Sequence, residues 1–303
     1  MATCHRTSKN TNYSLFIIHC SLFILSFCSC TELIELKTVN SEPVIVIYGC
    51  LTEDTIHQTV RVTMSSPYFE MEPNKPVSNA IVSIQSSDNQ TFELEETNQK
   101  GLYRTKIRMA AITGITYHLT VSVDPNQNGN LKHYEATTTM QRPFMVDSIS
   151  ITERTIMGFK HYMLELYAQE EPGPDYYCAS ATINDSLTTA TISRYTVFSD
   201  FGIDGHYLNG LPLMQFEDID NEWFDGNQDS FRFQFVRSGD KVTFCISLIE
   251  KGYFEFIQQC QSERRGENPF FGGPASNITT NISNGGVGYF TAFSTTRLEA
   301  YVP

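Results

Sequence analysis

From Val44 onward the apolar residues of this chain recur at every second position in short runs set apart by turn residues, and that period most limits the fold. Gln58-Thr-Val-Arg-Val-Thr-Met64 puts Val60 and Val62 on one face and Thr59, Arg61 and Thr63 on the other, the alternation of a half-buried strand. Val44 to Tyr48 is a continuous apolar run suited to a sheet interior. Ala80 to Ile84, Thr91 to Glu96, Gly101 to Arg104, Thr116 to Val123 and Tyr134 to Met140 continue the series, with turns at Pro76 to Asn79, Ser86-Ser-Asp-Asn-Gln90 and Gly114. About seven short strands over roughly 100 residues is the spacing of an antiparallel β-sandwich.

Three of these segments, Val77-Ser-Asn-Ala-Ile-Val-Ser-Ile84, Gly101-Leu-Tyr103 and Gly114-Ile-Thr-Tyr-His-Leu-Thr-Val121, resemble in their order the carboxypeptidase regulatory-like and transthyretin-like sandwiches. Such a likeness implies a fold and carries no function by itself. A boundary is expected at Gln141-Arg-Pro143, where a proline follows the last strand and a new run begins.

Beyond it, Ser148 to Glu153, Tyr162 to Tyr167 and Tyr176 to Thr182 read as strands, with Glu170-Glu-Pro-Gly-Pro-Asp175 as a turn loop. Thr191 to Asp220 has little period and reads as long loops with short strands. Phe231 to Phe235 and Lys241 to Leu248 flank Arg237-Ser-Gly-Asp240, a hairpin signal. In Glu250 to Cys260 the period changes: Tyr253, Phe256, Ile257 and Cys260 fall at i, i+3, i+4 and i+7, the stripe of a short amphipathic helix laid across a sheet. Strands return at Gly288 to Thr295 and Thr296 to Val302, after the turn Asn284-Gly-Gly286. The expectation is a mainly β protein of two antiparallel β-sandwich (Ig-like/transthyretin-like) domains, 44–141 and 144–303, with one short helix in the second.

The first residues have another character. Arg6 and Lys9 stand without any acid before an apolar run from Leu15 to Phe27, the arrangement of a signal peptide. The run is shorter than the ~20 residues of a bilayer span. It ends in Phe27-Cys28-Ser29-Cys30, which resembles the lipobox of Bacteroidetes lipoproteins. That resemblance implies removal of residues 1–29 and acylation of Cys30, with 30–43 as a polar tether. Cleavage as an ordinary secreted protein and a weak membrane anchor are the alternatives, and Cys28 is a poorer acylation site because bulky Phe27 precedes it. Ser14 to Cys20 and Ser21 to Cys28 nearly duplicate one another, as if one copy came from a start site placed upstream. Glu32 and Glu35 weakly resemble acidic surface-export signals.

The chain carries a formal charge of −13, and loss of Arg6 and Lys9 with the leader makes the remainder more acidic. Nucleic acid and anionic lipid surfaces are therefore poor partners. Cys50, Cys178, Cys245 and Cys260 show neither a CxxC nor a zinc spacing with the histidines, and buried free thiols are expected over a bridge. The Asn-x-Ser/Thr triplets at Asn89, Asn184, Asn277 and Asn281 read as surface turns. No GxSxG, HExxH, Walker or GxGxxG pattern occurs, so no cofactor and no catalytic residue is assigned. The acidic run Glu217 to Asp229 holds Asp218, Asp220, Glu222, Trp223 and Asp225. A solvated loop is expected there, with a ligand platform or calcium loop as the lesser reading, because Trp223 stands where an EF-hand needs Gly. Asn268-Pro269-Phe270-Phe271 is a candidate partner contact, its Pro and flanking Gly residues keeping two aromatics out of regular structure.

Several segments taken in order resemble the DUF4249 family of Bacteroidetes lipoproteins: Glu42-Pro-Val-Ile-Val-Ile-Tyr-Gly49, Gln58 to Val62, Pro172-Gly-Pro-Asp-Tyr-Tyr177, Trp223-Phe-Asp-Gly226, Gly239-Asp-Lys-Val242, Asn268-Pro-Phe270 and Asn284-Gly-Gly-Val-Gly-Tyr-Phe290. The resemblance implies a lipoprotein of the outer membrane, held there by its lipid alone, with a non-catalytic binding role beside a TonB-dependent receptor in nutrient uptake. A surface adhesin or pilus-like subunit is the alternative, followed by a carbohydrate-active enzyme built on two carboxylates.

Overall fold

The computed structural model describes residues 43–66, 74–124, 129–187, 192–220, 234–265 and 278–303. The first half contributes β1 (Ile45–Leu51), β2 (Thr59–Met64), β3 (Lys75–Pro76), β4 (Ile81–Ser86), β5 (Thr91–Glu96), β6 (Leu102–Thr105), β7 (Thr116–Val123) and β8 (Lys132–Thr139). The second contributes β9 (Ser148–Ile156), β10 (Phe159–Gln169), β11 (Tyr176–Ile183), β12 (Ser186–Leu187), β13 (Thr196–Ser199), β14 (Tyr207–Asp218), β15 (Gln234–Val236), β16 (Lys241–Leu248), the helix α1 (Lys251–Arg265), β17 (Val287–Ala292) and β18 (Thr296–Tyr301). The alternation read from the sequence is the alternation of burial: Val60 and Val62 on β2, Val82 and Ile84 on β4, and Phe92 and Leu94 on β5 all point into one core.

The expected first sandwich is corrected to one continuous nine-stranded sheet, ordered β17-β1-β2-β6-β5-β4-β7-β8 with β3 beside β2. It curls until its two ends nearly meet. Residues 280–284 bridge the gap: the Asn281 amide nitrogen donates to Phe290 O at 2.7 Å and Thr137 O at 3.2 Å, and its Oδ1 accepts from Phe290 N at 2.9 Å. Ser283 N donates to Glu135 O at 2.9 Å, and Asn284 Nδ2 to His133 O at 2.6 Å. Closing the edges removes the unpaired backbone that an open sheet would expose. Strand count and period are common to a sandwich and a barrel, and the strand that decides between them, β17, comes from the far end of the chain. It runs parallel to β1, and Gly288 fits there at φ +108 because a Cβ would overlap the Ile47 carbonyl.

Between Met140 and Phe144 the chain leaves this core for a second one. Here the sheet β15-β14-β10-β9 and the sheet β12-β11-β16-β18, with β13 on β11, supply Tyr162, Leu164, Leu166, Phe216, Phe244 and Ile246 to a shared interior. Two expectations fail. The stretch read as irregular, 191–220, contains β14, a strand of 12 residues. Its alternation is hidden by Gly210 and Pro212, which lie where the pairing with β10 slips register at Leu164/Glu165 and Leu166/Tyr167; bulges accept residues that a regular ladder rejects. The turn at Arg237 to Asp240 does form, with Asp240 N donating to Arg237 O at 3.1 Å. It is not a hairpin, because β15 pairs with β14 and β16 with β11 and β18. The residues encode a reversal and leave the partner open.

α1 buries Tyr253, Phe256 and Ile257, the stripe expected of it, against Tyr289, Ile249 and Cys178. Gly252, costly inside a helix by about 1 kcal/mol relative to Ala, gives the Tyr289 hydroxyl room. Just before the helix, Glu250 accepts from Thr139 N at 2.8 Å and Thr138 Oγ1 at 3.1 Å, fixing it to β8. Cys50, Cys178, Cys245 and Cys260 are free thiols.

Candidate functional site

Of the residues singled out in the sequence, Cys30, Glu222, Trp223, Asp225, Asn268, Pro269, Phe270 and Phe271 lie outside the described residues. Asp218 and Asp220 are described. Asp218 is not a solvated loop acid: it ends β14 only 7% exposed. Its Oδ2 accepts from the Tyr162 hydroxyl at 3.2 Å and faces Lys160 Nζ at 3.6 Å, while Oδ1 accepts from Asp220 N at 2.9 Å. A carboxylate so engaged closes the end of a strand.

The polar side chains the structure does gather lie on the face of β9, β10 and β14 turned away from the core. Cross-strand pairing sets Arg154, His161 and Glu217 in one row, Thr152, Met163 and Gln215 in the next, and Ser150, Glu165 and Pro212 in the third. Glu165 Oε1 accepts from Arg154 at 2.8 Å and Thr152 at 3.2 Å, and Oε2 from Ser150 at 3.3 Å. The Arg154 guanidinium holds the Glu165 carboxyl below the usual range against the opposing effect of burial. His161 Nδ1 lies 2.5 Å from Glu217 Oε2, whose Oε1 accepts from Gln215 Nε2 at 2.7 Å. Beside this network is a groove of about 420 Å³ lined by Arg154, Thr155, Ile156, Met163, Glu165, Gly210 and Pro212.

The hairpin joining β9 to β10 rises next to the groove. Its two turn residues, Met157 at φ +52 and Gly158 at φ +84, form a two-residue connection of the primed kind that suits strand twist. Met157 is 93% exposed, and Ile156 and Phe159, paired across the last rung, are exposed as well.

At the opposite end of β10, two loops bring carboxylates together. Glu170, Asp200 and Asp204 each place an oxygen within 4.8 Å of the others, a spacing that could hold a cation. Glu170 is fully buried and accepts from the Tyr177 hydroxyl at 3.1 Å and from Gly205 N. Asp204 accepts from Gly173 N at 2.9 Å, and Asp200 from Asp175 N at 2.9 Å. Asp175 meets Arg142 at 2.5 Å, yet burial, with Glu170 and Asp200 nearby, leaves its carboxyl raised. This group is hard to foresee from the sequence, since Glu170 lies some 30 positions from Asp200 and Asp204, in a stretch without clear period. The only hints were the turn Glu170 to Asp175 and the Asp-Gly pair at 204–205.

No curated protein matches the chain. Among solved structures, a crystal structure of a mutant Salmonella alpha-2-macroglobulin aligns with 87% of this chain and 15% of its own, at 12% identity and a TM-score of 0.22. The family model described as Domain of unknown function (DUF4249) matches residues 31–299, and the chain belongs to that family.

Proposed function

We propose that this protein is a lipid-anchored component of the bacterial outer membrane that binds without catalysis, as an accessory subunit of a TonB-dependent receptor in nutrient uptake. The observation that carries the reading is where the family match begins, at residue 31, immediately behind Cys30. The matched body thus starts directly behind the cysteine that a lipobox would acylate. In this reading residues 1–29 are removed and 30–43 tether the body. Each buried acyl CH₂ contributes about 0.8 kcal/mol, so two or more chains hold it without any spanning segment.

The non-catalytic half of the reading is supported by what occupies two of the buried acids. A general acid or base needs an oxygen open to substrate. Glu165 is taken up by Arg154, Thr152 and Ser150, and Glu170 by Tyr177 and Gly205. These carboxylates organise strands and loops.

The test is affinity purification of the tagged full chain from detergent-solubilised outer membranes, beside a Cys30→Ala variant, with mass spectrometry of what accompanies it. Stoichiometric recovery of one TonB-dependent receptor with the parent chain, and its loss with Cys30→Ala, is expected. Recovery of the protein alone, or only as multimers of itself, contradicts the proposal.

A further inference from the structure

The β9–β10 hairpin tip has a composition that folding does not account for. Positive φ at both turn positions favours Asn-Gly or Gly-Gly, and a Met at φ +52 is held in a region that L-residues with long side chains avoid. Packing gives no compensation, because Met157 is 93% exposed. Ile156 and Phe159 add two exposed apolar side chains on the same rung. The tip is also rigidly presented, since the β9–β10 ladder is unbroken from Ile156↔Phe159 to Ser148↔Tyr167. Backbone strain kept for an exposed apolar residue points to selection by a contact outside the chain.

We infer that Ile156, Met157 and Phe159 form a preformed plug that seats in an apolar socket of a partner protein. The inference rests on the accessory-subunit reading only for where that partner is found. Charge argues for a protein over a membrane surface. The two cations beneath the tip are both engaged by carboxylates: Arg154 meets Glu165 at 2.8 Å, and Lys160 meets Glu153 at 3.0 Å and Asp218 at 3.6 Å. Anionic headgroups would meet neutralised pairs on a chain of charge −13. An apolar centre within a polar rim whose cations are all paired with carboxylates is the composition of a protein interface. Shape agrees, since the adjoining groove between Arg154, Met163 and Pro212 is a concavity that a ridge of folded protein can fill beside the seated plug.

A photo-crosslinking amino acid is placed at position 157 of the full chain in living cells, and in a second strain at Phe201, which is equally exposed (95%) but lies in a different loop. Met157→Asn, which suits the turn, is purified in parallel from membranes. The inference expects a protein adduct at 157 that is absent at 201, identical to a membrane protein co-purifying with the parent chain. It also expects at least tenfold lower recovery of that protein with Met157→Asn, at an unchanged or higher melting temperature. Adducts only to lipid, only to a second copy, or to nothing overturn it, as does equal recovery with Met157→Asn. If the captured protein is not a TonB-dependent receptor, the functional proposal fails while the plug stands. If such a receptor co-purifies and 157 never reaches it, the reverse holds.

Discussion

The hydroxyls of Tyr48 on β1 and Tyr253 on α1 meet at 2.7 Å, and this contact ties the closed sheet to the helix that packs beside the second core. Around it lie Tyr289, Phe256, Ile257 and Cys178, with Tyr253 fully buried and Tyr48 half-buried. Burial raises both phenols well above their ordinary value, which keeps each a neutral donor and acceptor. Replacing either tyrosine by Phe strands the other hydroxyl and is expected to cost about 1–3 kcal/mol. The double variant should lose clearly less than the sum of the singles, by at least about 1 kcal/mol, in urea unfolding curves.

Glu250 gives a pH-dependent counterpart. Burial raises its carboxyl, opposed by the donors Thr139 N and Thr138 Oγ1. A carboxyl raised in the folded state binds its proton more tightly there than in the unfolded chain. Its contribution therefore falls as pH rises from the ordinary carboxylate value to the raised one, and stays low above it. Glu250→Gln should be neutral or stabilising at pH 7 relative to the parent, with that advantage lost in acid. Thermal unfolding at pH 4 and pH 7 measures the difference. A larger loss at pH 7 than at pH 4 would contradict it.

The thiols should be nearly inert in the folded protein. Burial pushes Cys50 and Cys178 up to about 12, which leaves about one thiolate in 10⁴ at pH 8. A disulfide-forming colorimetric reagent is expected to modify them at least a hundredfold more slowly than in denaturant. Full unfolding should release four reactive thiols, with Cys30 blocked by its thioether. Fewer than four would show a bridge.

Two glycines separate conformational strain from collision. Gly288 combines φ +108 with a Cβ position inside the Ile47 carbonyl, whereas Gly285 has φ +74 and open space around it. Gly285→Ala should cost about 1 kcal/mol from backbone strain alone. Gly288→Ala should cost about 3 kcal/mol or more, because it also forces β17 off β1. Equal losses would mean that the parallel edge does not hold the closed sheet.

The local elements were legible because they are written in local residues. Thr91–Glu96, Thr116–Val123 and Lys241–Leu248 carry their period openly, and the Tyr253, Phe256, Ile257 stripe announced α1. What remained hidden depends on residues far apart. Nothing near Val44 shows that β17 will lie beside it, and nothing in Arg237 to Asp240 shows that the turn changes sheets. Pro212 and Gly210 read as interruptions until the bulges they sit in on β14, opposite the unbroken β10, are seen. The outer face of that sheet was missed for a similar reason: Arg154, Glu165 and Glu217 look like scattered charges until antiparallel register sets them in rows. Met157 carries no signal in the sequence, since its significance lies in a φ angle and an exposure that the sequence does not display.

The central claim is that a lipid on Cys30 holds this body at the membrane, and the first peptide of the protein purified from membranes tests it most directly. Mass spectrometry should find a mature chain that begins at Cys30 and carries a diacylglyceryl thioether, with no acylated species in Cys30→Ala. An unmodified amino terminus at Cys30 or elsewhere, in protein recovered from the soluble fraction, would contradict the account.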